Sequence, residues 1–462
     1  MKWLFFLVIF EKYISNRLRI NNQKYMETLK KGDKKLLNAW AFYDWANSVY
    51  SLVIASAIFP IFYELIFKNR GNNVVYIFGN EIKDTAMITF VTALAFLIVA
   101  FISPFLSGIA DYIGNKKAFM RFFCYLGGLS CISLYWFNLE NLFLSYTAYL
   151  LGLIGFWASL VFYNSYLPDI AYPEQQDRVS ARGFSMGYIG STILLIINLA
   201  MVMSATNDVE RLECMKYSFL MVGFWWIGFS HVTYYYLPKG ASTGHKVTKA
   251  VLFDGFKELK IVWSQLKQNI PLKRYLHSYF VFIMAVQTVM LVATYFGATE
   301  INWTTPSQKT TGLIISILVI QLVAVLGAFL TSRASGKFGN INTLIFLNAF
   351  WAILCVFAYF VTEPNEFYIV AGFVGLVMGG IQSLARSTYS KLLPETDDTA
   401  SYFSFYDVTE KIGIVIGMSI YGIIDQVTGS MRNSIVFLAI FFVIGVILLL
   451  RIPKNNLLRN NQ

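Results

Sequence analysis

Charge is what this sequence has little of. Only 14% of its 462 residues are Asp, Glu, Lys or Arg, where a soluble chain carries roughly 25%. Most of the chain therefore has no water-facing surface. Cysteine is scarce too: Cys124, Cys131, Cys214 and Cys355 all sit in apolar stretches, and four such residues rule out a disulfide scaffold. The three histidines, His231, His245 and His277, are scattered and make no metal-binding spacing. No GxxxxGKS or GxxxxGKT phosphate loop occurs, so ATP is not bound by that route. No metal or other cofactor is expected.

Long apolar runs take the place of charge. A bilayer crossing needs about 20 apolar residues, and twelve such runs occur: 38–66, 86–109, 118–138, 142–167, 184–205, 215–237, 275–297, 311–332, 342–362, 367–389, 403–425 and 433–451. Backbone groups in lipid must satisfy one another, and runs of this length do so as helices, not as barrel strands. The fold class is an all-α membrane protein. Connections on the side of the N-terminus hold 29 Lys and Arg against 7 on the other side, which places both termini in the cytoplasm. The net charge of +11 is then a topology signal and gives no support to nucleic-acid binding.

The runs divide six and six. Residues 1–37 form a cytoplasmic N-terminal segment, 38–237 a first bundle, 238–274 a cytoplasmic linker, 275–451 a second bundle and 452–462 a tail. Within the first segment, Trp3–Phe10 is too short to cross and has no cleavage site, and basic residues from Lys12 to Lys24 precede Met26. Residues 1–25 read either as an interfacial anchor or, as we expect, as a mis-assigned start upstream of Met26. In the linker, Leu252, Phe256, Leu259, Trp263, Leu266 and Ile270 recur at helical spacing, with Lys257, Lys260 and Lys267 elsewhere on the helix. Such a helix lies along the membrane surface or packs on the protein as an ordinary linker.

The two bundles repeat one another. Asp111-Tyr-Ile-Gly114-Asn115 matches Gly336-Lys-Phe-Gly339-Asn340 at an offset of 225, and Tyr163 through Pro168-Asp169 matches Tyr389 through Pro394-Glu395 at 226. Gly187 and Gly413 each follow the matched proline by nineteen residues. Repeated halves around a central site are a common transporter design. In the first copy of the loop, Asp111, Gly114, Lys116 and Lys117 can latch neighbouring helix ends through charge-assisted bonds, or form a plain basic loop. Gly336 replaces the acid in the second copy, so any latch is expected to be asymmetric. Gly183-Gly187, Gly375-Gly379-Gly380 and Gly413-Gly417 mark close helix contacts, read as static packing.

Ionisable groups inside spans are costly and mark function by default. Asp44 lies roughly 9 Å along the first span, with Asn47 and Ser48 one turn on. It reads as a site for a proton or a substrate amine, or as an interfacial carboxylate paired with a neighbouring helix. Asp407, Glu410 and Lys411 share one face of the eleventh span, where one lysine neutralises one acid. The other acid needs a partner, with Arg386 as the candidate, or a proton; a purely structural ion-pair knot is the alternative. Tyr163 and Asn164, and Gln382 and Arg386, lie near the cytoplasmic ends of the fourth and tenth spans. Arg386 reads either as a bidentate ligand for a substrate carboxylate or as an interfacial anchor.

These motifs resemble the major facilitator superfamily, most closely its vacuole-effluxer-like branch, related to fungal autophagy-associated amino-acid effluxers. The matching strings are Ala39-Trp-Ala-Phe-Tyr-Asp44-Trp-Ala-Asn47-Ser-Val-Tyr50, Phe162-Tyr-Asn164 through Leu167-Pro168-Asp169, Arg178-Val-Ser-Ala-Arg-Gly183, Gly379-Gly-Ile-Gln-Ser-Leu-Ala-Arg386-Ser, and Phe405-Tyr-Asp407 to Lys411. The loop after the second span resembles the superfamily's signature loop, departing from it at Ser107, Tyr112 and Gly336. The resemblance implies twelve helices in two pseudo-symmetric bundles, alternating access, a cavity lined by the first, fourth, seventh and tenth spans, and no tightly bound cofactor. The expectation is a monomeric secondary transporter in a bacterial inner membrane. It moves a small solute, an amino acid or similar metabolite, with protons as coupling ion and the lipid bilayer as its other partner; efflux is the family-level hint. The alternative is an uncoupled facilitator with structural carboxylates. A membrane receptor or enzyme needs a reactive constellation that this sequence does not offer.

Overall fold

A computed structural model describes residues 29–71, 74–77, 79–238 and 251–453. Residues 1–25, where the question of an anchor or a mis-assigned start falls, lie outside them. Span 1 runs through Lys34–Val49, Tyr50–Ala57 and Ile58–Arg70. Spans 2 to 6 are Asp84–Ile113, Lys116–Ser133, Leu142–Ser165, Pro173–Met203 and Asp208–Tyr236. A linker helix, Val251–Gln268, precedes spans 7 to 12: Ile270–Thr299, Pro306–Phe338, Asn340–Ala358, Pro364–Leu392, Thr399–Thr428 and Met431–Leu450. Ten of these are long and apolar enough to cross a membrane by composition alone; spans 6 and 11 are not. Span 6 opens on five charged residues between Asp208 and Lys216 and ends on three tyrosines, and span 11 carries Asp407, Glu410 and Lys411.

Two details depart from the sequence reading. Span 1 is not one continuous α-helix, because Tyr50–Ala57 is wound as a π-helix. Pro60, three residues past its end, has no N–H for the Ser56 carbonyl, which disfavours a regular turn there. Between spans 1 and 2, Val74–Ile77 pairs antiparallel with Asn80–Lys83 in a small hairpin.

Packing follows the duplication. Spans 3 and 4, 1 and 5, 1 and 6, and 3 and 6 pack together, and so do spans 9 and 10, 7 and 11, 7 and 12, and 9 and 12. The bundles then meet through span 2 on span 11 and, in the counterpart position, span 8 on span 5. The repeated loops share a backbone feature as well. Gly114 and Gly339 sit at φ +68° and +83°, a conformation that a side chain would strain. Span 2 is only 22% buried within the protein whereas span 4 is 67% buried. Phe90, Leu94, Leu97 and Phe101 of span 2 are accordingly exposed, as suits a lipid-facing helix.

The linker helix is an ordinary packed helix on its inner side. Val262 and Leu266 are buried, and it rests on spans 2, 7 and 11. The small residues of span 10 do act in packing: a Cβ on Gly375 or Gly379 would strike the Ile320 or Ala324 carbonyl of span 8. Overpacking of this kind costs about 1–3 kcal/mol. Gly379→Val should lower the thermal unfolding midpoint in detergent by several degrees. Gly422→Val, whose new Cβ meets nothing within 4 Å, should leave it unchanged.

Candidate functional site

Asp44 and Arg386 meet between the bundles. Asp44 of span 1 and Arg386 of span 10 are both buried, and burial of either charge alone would carry a large desolvation cost. Asp44 Oδ2 accepts from Arg386 Nη2 at 3.3 Å and Nη1 at 3.4 Å, and from the Tyr163 hydroxyl at 2.8 Å. The remaining guanidinium donors find span 4 and span 5. Nη1 reaches Asn164 Oδ1 at 3.1 Å, Nε reaches Ser180 Oγ at 3.0 Å and Nη2 the Ser180 carbonyl at 3.0 Å. Every one of these partners of Arg386 comes from the first bundle.

Aromatic rings hold the pair in place. The guanidinium lies 4.3 Å from the Phe184 ring centroid, 4.8 Å from that of Trp40 and 5.4 Å from that of Tyr163. Trp40 stacks on Tyr163 at 4.5 Å and donates its indole N–H to the Tyr163 carbonyl at 2.9 Å. Gly183 makes room on the far side. A Cβ there would lie 2.5 Å from Asp44 Oδ2 and 3.1 Å from Arg386 Nη2.

Two expectations for Arg386 give way to this geometry. Arg386 is not an interfacial anchor, since it is buried within the interface. Nor does it serve the acids of span 11, because Asp44 holds it. Ser180, Gly183, Phe184 and Trp40 complete the site beyond the residues that the sequence points to. The pattern that contained them was the polar string Arg178–Gly183 opening an otherwise apolar span, together with the first-span string. Asn47 is buried one turn from Asp44, where it accepts from Ser48 Oγ at 3.4 Å. Gln382 accepts from the Tyr188 hydroxyl at 2.9 Å and so joins span 10 to span 5.

The second cluster lies deeper along span 11. Lys411 Nζ donates to Asp407 Oδ1 at 2.9 Å and reaches Glu410 Oε2 at 3.4 Å, so it serves both acids and not one. Gln287 of span 7 donates to Glu410. The ammonium of Lys411 also stands 3.6 Å from the centroid of the Trp157 ring on span 4, which brings in the first bundle. Asp407 Oδ2 is buried and meets no donor among the described residues. Two carboxylates and one ammonium leave the cluster with a formal charge of −1.

Both bundles also touch through the repeated loops. Asp111, at the end of span 2, accepts from the Ala400 N–H at 3.2 Å and the Ser401 N–H at 2.7 Å. It thereby caps the start of span 11 from the opposite bundle, where the helix dipole favours an anion. Lys116 pairs with Asp169, and its ammonium donates to Thr399 Oγ1 at 2.5 Å. Lys117 turns the other way, to the Leu237 carbonyl at 2.7 Å. Gly114 supplies the left-handed turn between Asp111 and the lysines.

The second loop makes the counterpart contact with its polarity reversed. Asp177 of span 5 accepts from Ser335 Oγ at 2.9 Å and Asn340 Nδ2 at 2.9 Å, and pairs with Lys391 at 2.7 Å. The asymmetry expected from Gly336 is present, yet an acid is not missing: it is carried by the helix and the donors by the loop. Both contacts border one cleft of about 1100 Å³, walled further by Lys31, Glu174, Glu395 and Asp397.

The chain matches the family model described as "Vacuole effluxer Atg22 like" over residues 32–462. It is 32% identical over 426 residues to the protein named "Uncharacterized MFS-type transporter YxiO" of Bacillus subtilis (strain 168), covering 90% of this chain and 94% of that protein. It is 21% identical to "Autophagy-related protein 22-1" of Penicillium rubens, over 90% of this chain and 89% of that one. In fold it is similar to the E. coli fucose:proton symporter FucP, with a TM-score of 0.65, 15% identity and coverage of 91% and 98%. The human organic anion transporter MFSD10 gives a TM-score of 0.69 at 10% identity, over 91% of this chain and 100% of that one.

Removing Arg386 should expose the cost of the buried carboxylate. Arg386→Gln is expected to destabilise the protein by about 3–5 kcal/mol, measured by denaturant unfolding in detergent. Adding Asp44→Asn should recover part of that loss, because the two changes are coupled through one contact.

Proposed function

This chain belongs to the Atg22-like vacuole effluxer family of major facilitator transporters, and we propose that it carries a small zwitterionic solute, an amino acid or similar metabolite, by proton-coupled alternating access. The observation that carries this reading is the buried Asp44–Arg386 pair joining the bundles. Both Nη groups of Arg386 fall on a single oxygen of Asp44, at 3.3 and 3.4 Å, so the fork lacks the two-oxygen acceptor that suits it. A solute carboxylate supplies two oxygens. Asp44, released from the guanidinium, then accepts the solute ammonium, with the Tyr163 hydroxyl still bonded to it. An occupant that takes over both partners satisfies both charges and loosens the bundles at the same step.

The span 11 cluster fits the coupling role. Its charge of −1 is neutralised by one proton on Asp407 or Glu410, and Trp157 ties that state to the first bundle. A charge moved through 100 mV is worth about 2.3 kcal/mol, more than the ~1.4 kcal/mol of a tenfold gradient. In this reading both termini face the cytoplasm of a bacterial cell, residues 38–237 and 275–451 move as two bodies, and the solute is exported. The Asp111 and Asp177 contacts hold the cytoplasmic side shut.

Two experiments test the proposal. In proteoliposomes, Asp44→Asn and Asp407→Asn should each cut proton-driven solute flux per folded molecule at least tenfold, with Asp44→Asn also lowering the folded yield because it leaves Arg386 buried without its carboxylate. Flux that ignores a collapsed proton gradient would instead mark an uncoupled facilitator. For the gate, nitroxides at the exposed positions Glu174 and Lys337 report the separation of the bundles by electron–electron distance. Asp111→Asn combined with Lys391→Gln should shift that distribution to longer distances; an unchanged distribution removes the gating role.

A further inference from the structure

The linker helix keeps one side bound to protein and leaves the other uncovered among the described residues. On the bound side the Tyr402 hydroxyl of span 11 donates to Gln265 Oε1 at 2.9 Å, and Val262 and Leu266 are buried. On the open side Lys257, Lys260 and Lys267 are exposed. Trp263 lies 5.2 Å, ring to ring, from Phe405 of span 11 and is still 45% exposed, with the Lys267 ammonium 5.0 Å from its ring centroid. A single residue, Asn269, separates this helix from span 7, whose first turns expose Ile270, Lys273 and Arg274. From Leu259 to Thr299 the sequence contains no Asp or Glu. Among the described residues, none of Lys260, Lys267 and Lys273 is paired with a carboxylate.

We propose that this corner between the linker helix and span 7 is a headgroup site for an anionic phospholipid of the cytoplasmic leaflet. An indole and an isoleucine at the mouth of a span match the region where headgroup meets acyl chain. The unpaired ammonium groups beside them match a lipid phosphate. A soluble acidic partner would account for the lysines but not for Trp263 and Ile270 lying exposed beside a membrane-spanning helix. The position gives the site a consequence. The linker helix rests on spans 2 and 11, the same two helices that Asp111 joins, so a lipid holding the helix braces the closed contact. This inference rests on the cytoplasmic placement proposed above.

Purified protein in nanodiscs of phosphatidylcholine with phosphatidylglycerol, released into native mass spectrometry, reads the lipid directly. Replacing Lys260, Lys267 and Lys273 by glutamine should lower retained phosphatidylglycerol by about tenfold or more. The same replacement at Lys30, Arg178 and Lys337, equally exposed basic positions, should leave it unchanged. If the first variant fails to fold, Trp263→Ser takes its place with the same expectation. Equal retention in the test and control variants overturns the proposal. So does loss of the lipid to inorganic phosphate at constant ionic strength, which marks a soluble-anion site. Lys257→Cys labelled only from outside intact cells overturns the cytoplasmic placement, while the lipid count reports on the site separately.

Discussion

A carboxylate and a guanidinium buried where the two bundles meet constrain much of what surrounds them. Neither Asp44 nor Arg386 is tolerable alone in a low-dielectric interior, so each commits the helix that carries it to the helix that carries the other. The remaining donors of Arg386 are then absorbed by Asn164 and Ser180, and its faces by Trp40, Phe184 and Tyr163. Gly183 completes the arrangement by being absent where a side chain would stand. Such a contact holds the two bundles together for as long as each charge keeps the other as its partner.

The duplication supplies a symmetric frame, but its chemistry is not symmetric. The packing of spans 1 to 6 recurs in spans 7 to 12, and Gly114 and Gly339 both sit at positive φ. The charges on that frame have diverged. In one contact an acid of the loop caps a helix start; in the other an acid of the helix is bound by donors from the loop and by Lys391. Both arrangements bring opposite partial charges together across the same seam, so either polarity closes it. The span 11 cluster has no such counterpart among the described residues, which suits a role that only one bundle has to perform.

Much of this was legible in the sequence for a simple physical reason. Crossing a bilayer depends on local composition, so the run of apolar residues, the basic skew of the connections and the repeated loop strings identify helices, their number and their pairing into halves. The cost of intramembrane charge likewise picks out Asp44, Arg386, Asp407, Glu410 and Lys411 without any coordinates. The family strings add the fold. Spans 6 and 11 show the limit of composition: the charges and tyrosines that lower their apolar character belong to helices held by their neighbours.

What the sequence could not decide was partnership. Arg386 is 24 residues from Glu410 and 342 from Asp44 in the chain, and the carboxylate it meets is the distant one. Only helix packing brings span 10 against spans 1, 4 and 5, and only there does the guanidinium find its carboxylate. The same holds for Asp177, an unremarkable acid at the start of an apolar span until the second loop folds onto it, and for Gly183, a small residue like others until a carboxylate fills the space it leaves. Which residues carry cost is set by their chemistry and the local run around them. Which residues meet that cost is set by distances across helices, and those exist only in the tertiary structure.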